Sequence, residues 1–326
     1  MKVSVLGAGS WGTALAMHLG RGGHDVLLWS RDPAVSEAIR ATGLHPRRFP
    51  GALFPPGIRA SSDIREALAH SNTVLVAVPC ASYRPLLESF PGTEARRFVS
   101  TAKGIEPETL RRMSQIILEY QPGAEVAALS GPTFAEGVAR GDPSAAVIAD
   151  AGGTLARDIQ GEFSNTQLRL YRSDDLQGVE LAGALKNVVA IAAGIVAGLG
   201  FGANTIAALV TRGLAELGRI VKAGGGQART VVGLAGIGDL MLTCTGKESR
   251  NRRVGEAIGR GRRLRDVLVE MPEVAEGART CLAVPRMAAA AGIEAPIADA
   301  VVSVLYEGVP AGVAVEKLMT RTLREE

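Results

Sequence analysis

The most telling residues able to do chemistry are Gly7-Ala8-Gly9-Ser10-Trp11-Gly12, a G-x-G-x-x-G run between an apolar segment and a helical pattern. In that setting each glycine meets a separate steric demand: Gly7 the tight turn, Gly9 the approach of backbone to a pyrophosphate, Gly12 the packing of helix on sheet. Amides at the start of the following helix then face the phosphates, with the positive end of the helix dipole behind them. The chemistry implied is the holding of a dinucleotide. Which dinucleotide depends on the end of the second strand, where a carboxylate receives a ribose 2′-OH and an arginine receives a 2′-phosphate. That end reads Trp29-Ser30-Arg31-Asp32. Arg31 comes first, and Arg47 and Arg48 add charge from a loop. NADP(H) is therefore the expected preference, with Asp32 keeping NAD(H) possible.

Other residue types argue against other chemistries. Cys80, Cys244 and Cys281 are far apart, and His18, His24, His45 and His70 show no ligand spacing, so no metal is expected. An odd, small cysteine count fits a reducing compartment. The apolar run behind Met1-Lys2 is too short for a signal sequence, and a cytoplasmic location is expected. A formal charge of +3 makes no case for nucleic acid. Arg250, Arg252, Arg253, Arg260, Arg262, Arg263 and Arg265 lack the interleaved aromatics of a nucleic-acid patch and read as a solvated face.

The elements that must position these residues alternate in the first half. Short β-branched runs at 2–6, 25–29, 73–78, 97–100, 126–129 and 145–148 are separated by helical patterns such as 13–20. Continuous apolar strands between helices predict a parallel sheet covered on both faces. Right-handed crossovers make it doubly wound. Beyond about Asp174 the pattern turns to Ala/Gly/Leu-rich helices, broken at Gly224-Gly225-Gly226 and near Pro272, Pro296 and Pro310. The expected fold is an α/β Rossmann-type dinucleotide-binding domain over 1–173, with a doubly wound, mostly parallel sheet. An all-α substrate-binding and catalytic domain follows over 174–326. Residues 188–211 carry no charge and are long enough to span a bilayer. Gly194, Gly198, Gly200, Gly202, Asn204 and Thr205 interrupt them, however, and polar groups there would sit unsatisfied in lipid. A buried helix pair is expected, and no membrane span.

Five segments, taken together, resemble the bacterial type of NAD(P)-dependent glycerol-3-phosphate dehydrogenase family. They are GAGSWGTALA (7–16), STAKGIE (100–106), LSGPTFAEGVARG (129–141), VELAGALKNVVAIAAGI (179–195) and GDLMLTCTGKESRNRRVG (238–255). GANTIAALVTRGLAE (202–216) and VAEGARTCLAV (274–284) match as well, with order and spacing kept throughout. The resemblance implies reversible reduction of dihydroxyacetone phosphate to sn-glycerol 3-phosphate, a supply of glycerol phosphate for phospholipid synthesis, a homodimer, and a site at the cleft between domains. It places Lys186 on the catalytic lysine and Lys103 on a second lysine that touches both cofactor and substrate. Asp239 falls on an acidic partner, Gly131 and Thr133 on substrate-contacting positions, and Ser249, Arg250 and Asn251 on a phosphate-binding turn. Ser10, Trp11, Arg31, Ala135, Arg250, Val274 and Glu276 match cofactor positions.

Elementary chemistry agrees with that set. Ketone reduction needs a donor aimed at the oxygen that becomes an alkoxide. A lysine serves when burial or a nearby cation lowers its pKa. Lys103 and Lys186 would supply such a field to each other, with Asp239 limiting the repulsion. A phosphate dianion needs fixed donors, which Arg and Asn at a helix start provide. Without the resemblance, Lys186 is a lone lysine on an apolar helix with Glu180 as its nearby acid, and Asp239 is a helix cap after Gly238. Two departures stand out. The family's R-Y-L-P-G loop appears as Arg47-Arg48-Phe49-Pro50-Gly51, which puts Arg48 at a cofactor position usually aromatic. Cys80 follows Pro79 where serine is common. Two other functions compete: a related two-domain hydroxyacid reductase, which needs a carboxylate clamp, and a non-catalytic nucleotide-sensing module, which has no use for the lysines.

Overall fold

Residues Lys2–Leu6 form a strand whose last four residues are buried. Such a continuous apolar run is what a strand inside a parallel sheet needs. In the computed structural model, which describes residues 1–90, 92, 96–271 and 275–322, this is β1 of an eight-stranded sheet. The others are β2 (Asp25–Trp29), β3 (Ile58–Ser61), β4 (Thr73–Val76), β5 (Arg97–Ser100), β6 (Glu125–Ser130), β7 (Ser144–Asp150) and β8 (Leu168–Ser173). They lie in the order β3-β2-β1-β4-β5-β6-β7-β8. Pairing is parallel except between β6 and β7. The sheet is thus doubly wound and mostly parallel, as expected.

Leu6 pairs with Trp29 in β2 and with Val76 in β4. The loop after β1 and the end of β2 therefore share one carboxyl edge, where the strand order reverses and ligands of open α/β sheets bind. Two strands escaped the periodicity. β3 is four residues long behind Pro55-Pro56-Gly57. β8 buries only Leu168 and Leu170 on alternate positions, with charged and polar residues between them. β4 also stops at Val76 rather than at residue 78.

The chain divides into two compact units, one of Met1–Ala102 with Arg112–Val179 and one of Lys103–Arg111 with Glu180–Glu326. This differs from a single cut after residue 173. The reason for the excursion at 103–111 is apolar: Ile105 is 1% exposed in the helical core, and Leu110 packs on the same core. Leu176–Gly198, of which residues 180–198 fall in the second unit, and Ala203–Ala223 are the longest helices among the described residues. The first is long and apolar enough to cross a membrane, yet 89% of its most apolar window is buried inside the protein. An all-round apolar helix is what a core position requires.

Two of the glycines read from sequence as interruptions, Gly194 and Gly198, turn out to be part of a packing surface, while Gly200 and Gly202 have open space beside them. A Cβ on Gly194 would fall 2.1 Å from the Arg252 carbonyl oxygen, and one on Gly255 would fall 2.0 Å from that of Ile191. Gly198 and Gly259 are equally crowded by Glu256 and Ile195. The Leu176–Gly198 and Arg250–Gly259 helices therefore touch backbone to backbone. Each interior glycine costs about 0.5–1 kcal/mol of helix stability, offset here by the close approach.

Candidate active site

Lys186 sits within the Leu176–Gly198 helix, 5% exposed among buried Ala182, Leu185, Val189 and Ala190. A buried ammonium must find partners or lose its proton. Its partners come from the short helix Asp239–Thr245. Lys186 Nζ donates to Asp239 Oδ1 at 2.7 Å and to Thr243 Oγ1 at 2.6 Å. Lys103 Nζ donates to the other oxygen, Asp239 Oδ2, also at 2.7 Å. Asp239 is 1% exposed. It is the first residue of its helix and not its cap, and its carboxylate is spent on two lysines, as the reading of an acidic partner requires and that of a helix cap does not. A π-helical turn at Leu234–Gly238 precedes it, an irregularity common at functional sites.

Thr243 lies one helical turn after Asp239. Its hydroxyl donates to the Asp239 carbonyl at 2.6 Å, so its lone pair receives the Lys186 proton. Lys186 has three N–H groups. Two are engaged, and among the described residues the third has no partner. That proton is free for an incoming oxygen.

The electrostatics follow from burial and charge. Burial foremost, against the pull of Asp239 and with the help of the Lys103 charge, brings the Lys186 pKa down to about 8. Burial acts to raise the Asp239 carboxyl, but the two lysines outweigh it and hold it below the usual carboxylate value. Cys244, beside them, is pushed by burial up to about 12 and remains a thiol.

Behind this cluster runs a line of directed amide bonds. Gly277 N donates to Asn251 Oδ1 at 2.9 Å, Asn251 Nδ2 to Asn187 Oδ1 at 2.8 Å, and Asn187 Nδ2 to the Lys103 carbonyl at 2.9 Å. Both asparagines are buried. The line holds the backbone of Lys103 in register with Lys186, the neighbour of Asn187. Ser249 caps the Arg250–Gly259 helix, accepting from Arg252 N at 3.2 Å. Arg250 is exposed, and no ion pair or hydrogen bond engages it among the described residues. Glu276 is half-buried just ahead of the Gly277–Thr280 turn of helix. Val274 lies outside the described residues.

In the first unit the glycine loop fits a dinucleotide. Gly7 has φ +117°, and a Cβ there would fall 2.7 Å from the Ala77 carbonyl oxygen. One on Gly12 would fall 1.9 Å from the Gly7 oxygen, while the space beside Gly9 is open. The Ser10–Arg21 helix starts at Gly9 without a side-chain cap, so its first amides, including those of Ser10 and Trp11, are left for a phosphate. Past β2, Arg31 is exposed and Arg48 half-buried. Asp32 caps the Pro33–Thr42 helix through Ala34 N at 3.1 Å and pairs with Arg47 at 2.6 Å. Gly131 follows β6 with φ +143°, where a Cβ would fall 2.9 Å from Ala146 Cα. Thr133 N closes a tight turn on the Gly131 carbonyl at 2.8 Å, and Ala135 begins the Ala135–Arg140 helix.

The structure thus brings together Lys103, Lys186 and Asp239, and separately the glycines of the loop. Thr243 and the Asn187 relay were missed. Their signals were the four-residue spacing of Thr243 from Asp239 on a helix and a buried amide adjoining the lysine.

Models described as the N-terminus and the C-terminus of NAD-dependent glycerol-3-phosphate dehydrogenase match residues 2–156 and 175–316. The glycerol-3-phosphate dehydrogenase (NAD(P)+) of Thioalkalivibrio sulfidiphilus is 46% identical over 99% of this chain and 98% of its own. That of Trichlorobacter lovleyi is 46% identical over 100% and 99%. The crystal structure of the glycerol-3-phosphate dehydrogenase from Coxiella burnetii is similar, with a TM-score of 0.93 at 35% identity, covering 98% of this chain and 99% of that one.

Proposed function

The chain belongs to the NAD-dependent glycerol-3-phosphate dehydrogenase family, and on that premise we propose that it reversibly reduces dihydroxyacetone phosphate to sn-glycerol 3-phosphate with Lys186 as proton donor. The observation that carries the role of Lys186 is a third N–H with no partner among the described residues, on a buried ammonium whose other two bonds are fixed. When bound, the nicotinamide supplies the hydride to the carbonyl carbon. As negative charge grows on the carbonyl oxygen, Lys186 donates to it and then gives up a proton, which solvent restores. A lysine near pH 8 is suited to this, because its proton is held strongly enough to be present and weakly enough to leave. Lys103 adds a second positive charge, and Asp239 and Thr243 fix the direction of the Lys186 N–H. In the oxidation direction, neutral Lys186 accepts the hydroxyl proton. Turnover of NAD(P)H with dihydroxyacetone phosphate, compared with unphosphorylated dihydroxyacetone and with a 2-keto acid, tests the assignment. Preference for the keto acid would make the chain a hydroxyacid reductase, and inertness toward all three would make it a nucleotide-sensing module.

Arg250, with Asn251 and Ser249 beside it at the helix start, is the substrate phosphate ligand in this reading, and Gly131 and Thr133 line the substrate. Arg250→Ala is expected to raise KM for dihydroxyacetone phosphate about ten- to a hundredfold, since a hydrogen bond to a charged group is worth about 1.5–3 kcal/mol. An unchanged KM would move the phosphate elsewhere.

The enzyme depends on NAD(P). The finer reading is that NADPH serves at least as well as NADH. Exposed Arg31 supports it, as does Asp32, whose two oxygens already serve Ala34 N and Arg47. A guanidinium pairs with a 2′-phosphate through two parallel bonds. Arg31→Ala is therefore expected to lower kcat/KM for NADPH about tenfold and leave NADH nearly unaffected. The preference should also shrink with added salt, because exposed charges are screened. A wild type that favours NADH, unmoved by the substitution, would place the ribose on Asp32. Gly7, Gly9, Ser10, Trp11, Gly12, Arg48, Lys103, Ala135, Val274 and Glu276 complete the cofactor set of this reading. Homodimeric assembly, a cytoplasmic location and a supply of glycerol phosphate to phospholipid synthesis belong to it as well. Sedimentation at several concentrations checks the first of these.

A further inference from the structure

The histidines of this chain share one habit. His18, His24, His45 and His70 each set Nε2 against a backbone carbonyl, those of Phe163, Glu162, Ala8 and Asp25. Phe163 and Glu162 end a helix and Asp25 begins β2, so three of these contacts tie ends of secondary structure. His45 instead reaches into the glycine-rich loop, 3.0 Å from the Ala8 carbonyl oxygen. Its Nδ1 receives the amides of Arg47 at 3.1 Å and Arg48 at 3.0 Å. A carbonyl only accepts and an amide N–H only donates, so the ring must carry its proton on Nε2 and none on Nδ1. The buried ring is therefore held neutral and in one tautomer.

With Gly7–Gly12 read as the dinucleotide loop, we propose that His45 is a positioning residue for the cofactor: its neutral ring ties the glycine-rich loop to the backbone of Arg47 and Arg48, and so sets where that basic loop stands beside the end of β2. Independent features seat the same loop. Phe49 is held at φ +48°, a left-handed conformation costly for a residue with a Cβ. Its ring packs on the cluster of Ala14, Met17, Val138 and Ala139, as Trp11 and Ala135 do. Arg47 pairs with Asp32, the residue after Arg31. The loop is thus anchored to the glycine motif, to the neighbours of two cofactor positions and to the strand end that discriminates the 2′-group.

A second proton on His45 would turn Nδ1 into a donor facing two donors and open the clip. The charges acting on the ring are those of Arg48 and Arg47, on its own loop. Gly7-Ala8-Gly9-Ser10 bring no ionisable side chain, and Asp32 faces Arg47. Burial foremost, against the bond to Ala8 and with both arginines adding to it, holds the ring below its ordinary 6.5. The clip is therefore closed at neutral pH and opens as pH falls below that range.

The test is calorimetric titration of NADP+ and NAD+ into wild type, His45→Ala, His45→Asn and His70→Ala, from about pH 8 down to about pH 5. His45→Ala should weaken both cofactors about tenfold at neutral pH, the scale of one or two lost hydrogen bonds. His45→Asn, whose amide keeps one donor and one acceptor, should recover part of that. In wild type the Kd for NAD+ should rise as pH falls below the ordinary imidazole range, and in both His45 variants it should stay flat. NAD+ is the cleaner probe, because the 2′-phosphate of NADP+ itself titrates near about 6. His70→Ala, a contact at the far end of β2, should melt earlier and keep the wild-type pH slope. If His45→Ala does not fold, His45→Asn carries the same comparison. Wild-type affinity and pH slope in a folded His45 variant would overturn the inference with the dinucleotide reading intact. Failure of wild type to bind either cofactor would overturn that reading instead.

Discussion

Lys186→Met is expected to leave a folded protein that still binds NAD(P)H and reduces dihydroxyacetone phosphate about a hundred- to a thousandfold more slowly, the usual worth of a donor to a developing oxyanion. Methionine has a similar length and suits the apolar neighbours Leu185 and Val189, and Asp239 keeps Lys103 as partner. The loss should fall on kcat, since the proton is given only as the alkoxide forms. A pH signature accompanies it. Reduction needs protonated Lys186, whose pKa lies at about 8. Wild-type kcat should be level below that point and fall about tenfold per pH unit above it. Oxidation of glycerol 3-phosphate should rise through the same point. Steady-state rates in both directions settle the matter: activity within a few-fold of wild type would remove Lys186 from the mechanism.

Asp239→Asn should cost both stability and activity. Its carboxylate is buried against two ammonium groups at 2.7 Å, and removing one partner of a buried ion pair typically costs about 3–5 kcal/mol. Asparagine keeps an acceptor but not the charge. The attraction that raises the Lys186 pKa disappears while burial and the Lys103 charge remain, so that pKa moves below 8. The fall of reduction rate should then begin at lower pH than in wild type. Denaturant titration at neutral pH reads the stability, and a pH–rate profile reads the shift. Adding Lys186→Met should recover part of the lost stability, because one uncompensated buried charge goes with it. A wild-type profile in Asp239→Asn would mean that Asp239 does not set the protonation of Lys186.

Legibility in sequence tracked how local each constraint is. Gly7, Gly9 and Gly12 could be read at once, because a tight turn, an open approach and a close helix contact all arise within six residues. The doubly wound sheet was legible from buried apolar runs, since a strand covered on both faces has no polar alternation to hide it. β3 and β8 were not, one being short behind two prolines and the other alternating between buried leucines and exposed charges. Residues 103–111 carry no mark of their transfer to the helical unit, because Ile105 looks like any apolar residue until its neighbours are known.

The two lysines are the clearest division. From residue types alone Lys186 was a lone cation on an apolar helix, and only family resemblance singled it out. Its acid is Asp239, 53 residues away, while Glu180, the nearby acid in sequence, is not among the partners found for it. Composition and spacing by themselves determined the dinucleotide loop, the sheet that presents it and the helical second half. Tertiary structure alone decided that Asp239 bridges two lysines, that Thr243 takes a second Lys186 N–H, and that His45 joins two loops. The physical reason is range: turn geometry and periodicity act between near neighbours. A buried charge takes its character from whatever the fold places within a few ångströms of it, and sequence separation says little about that.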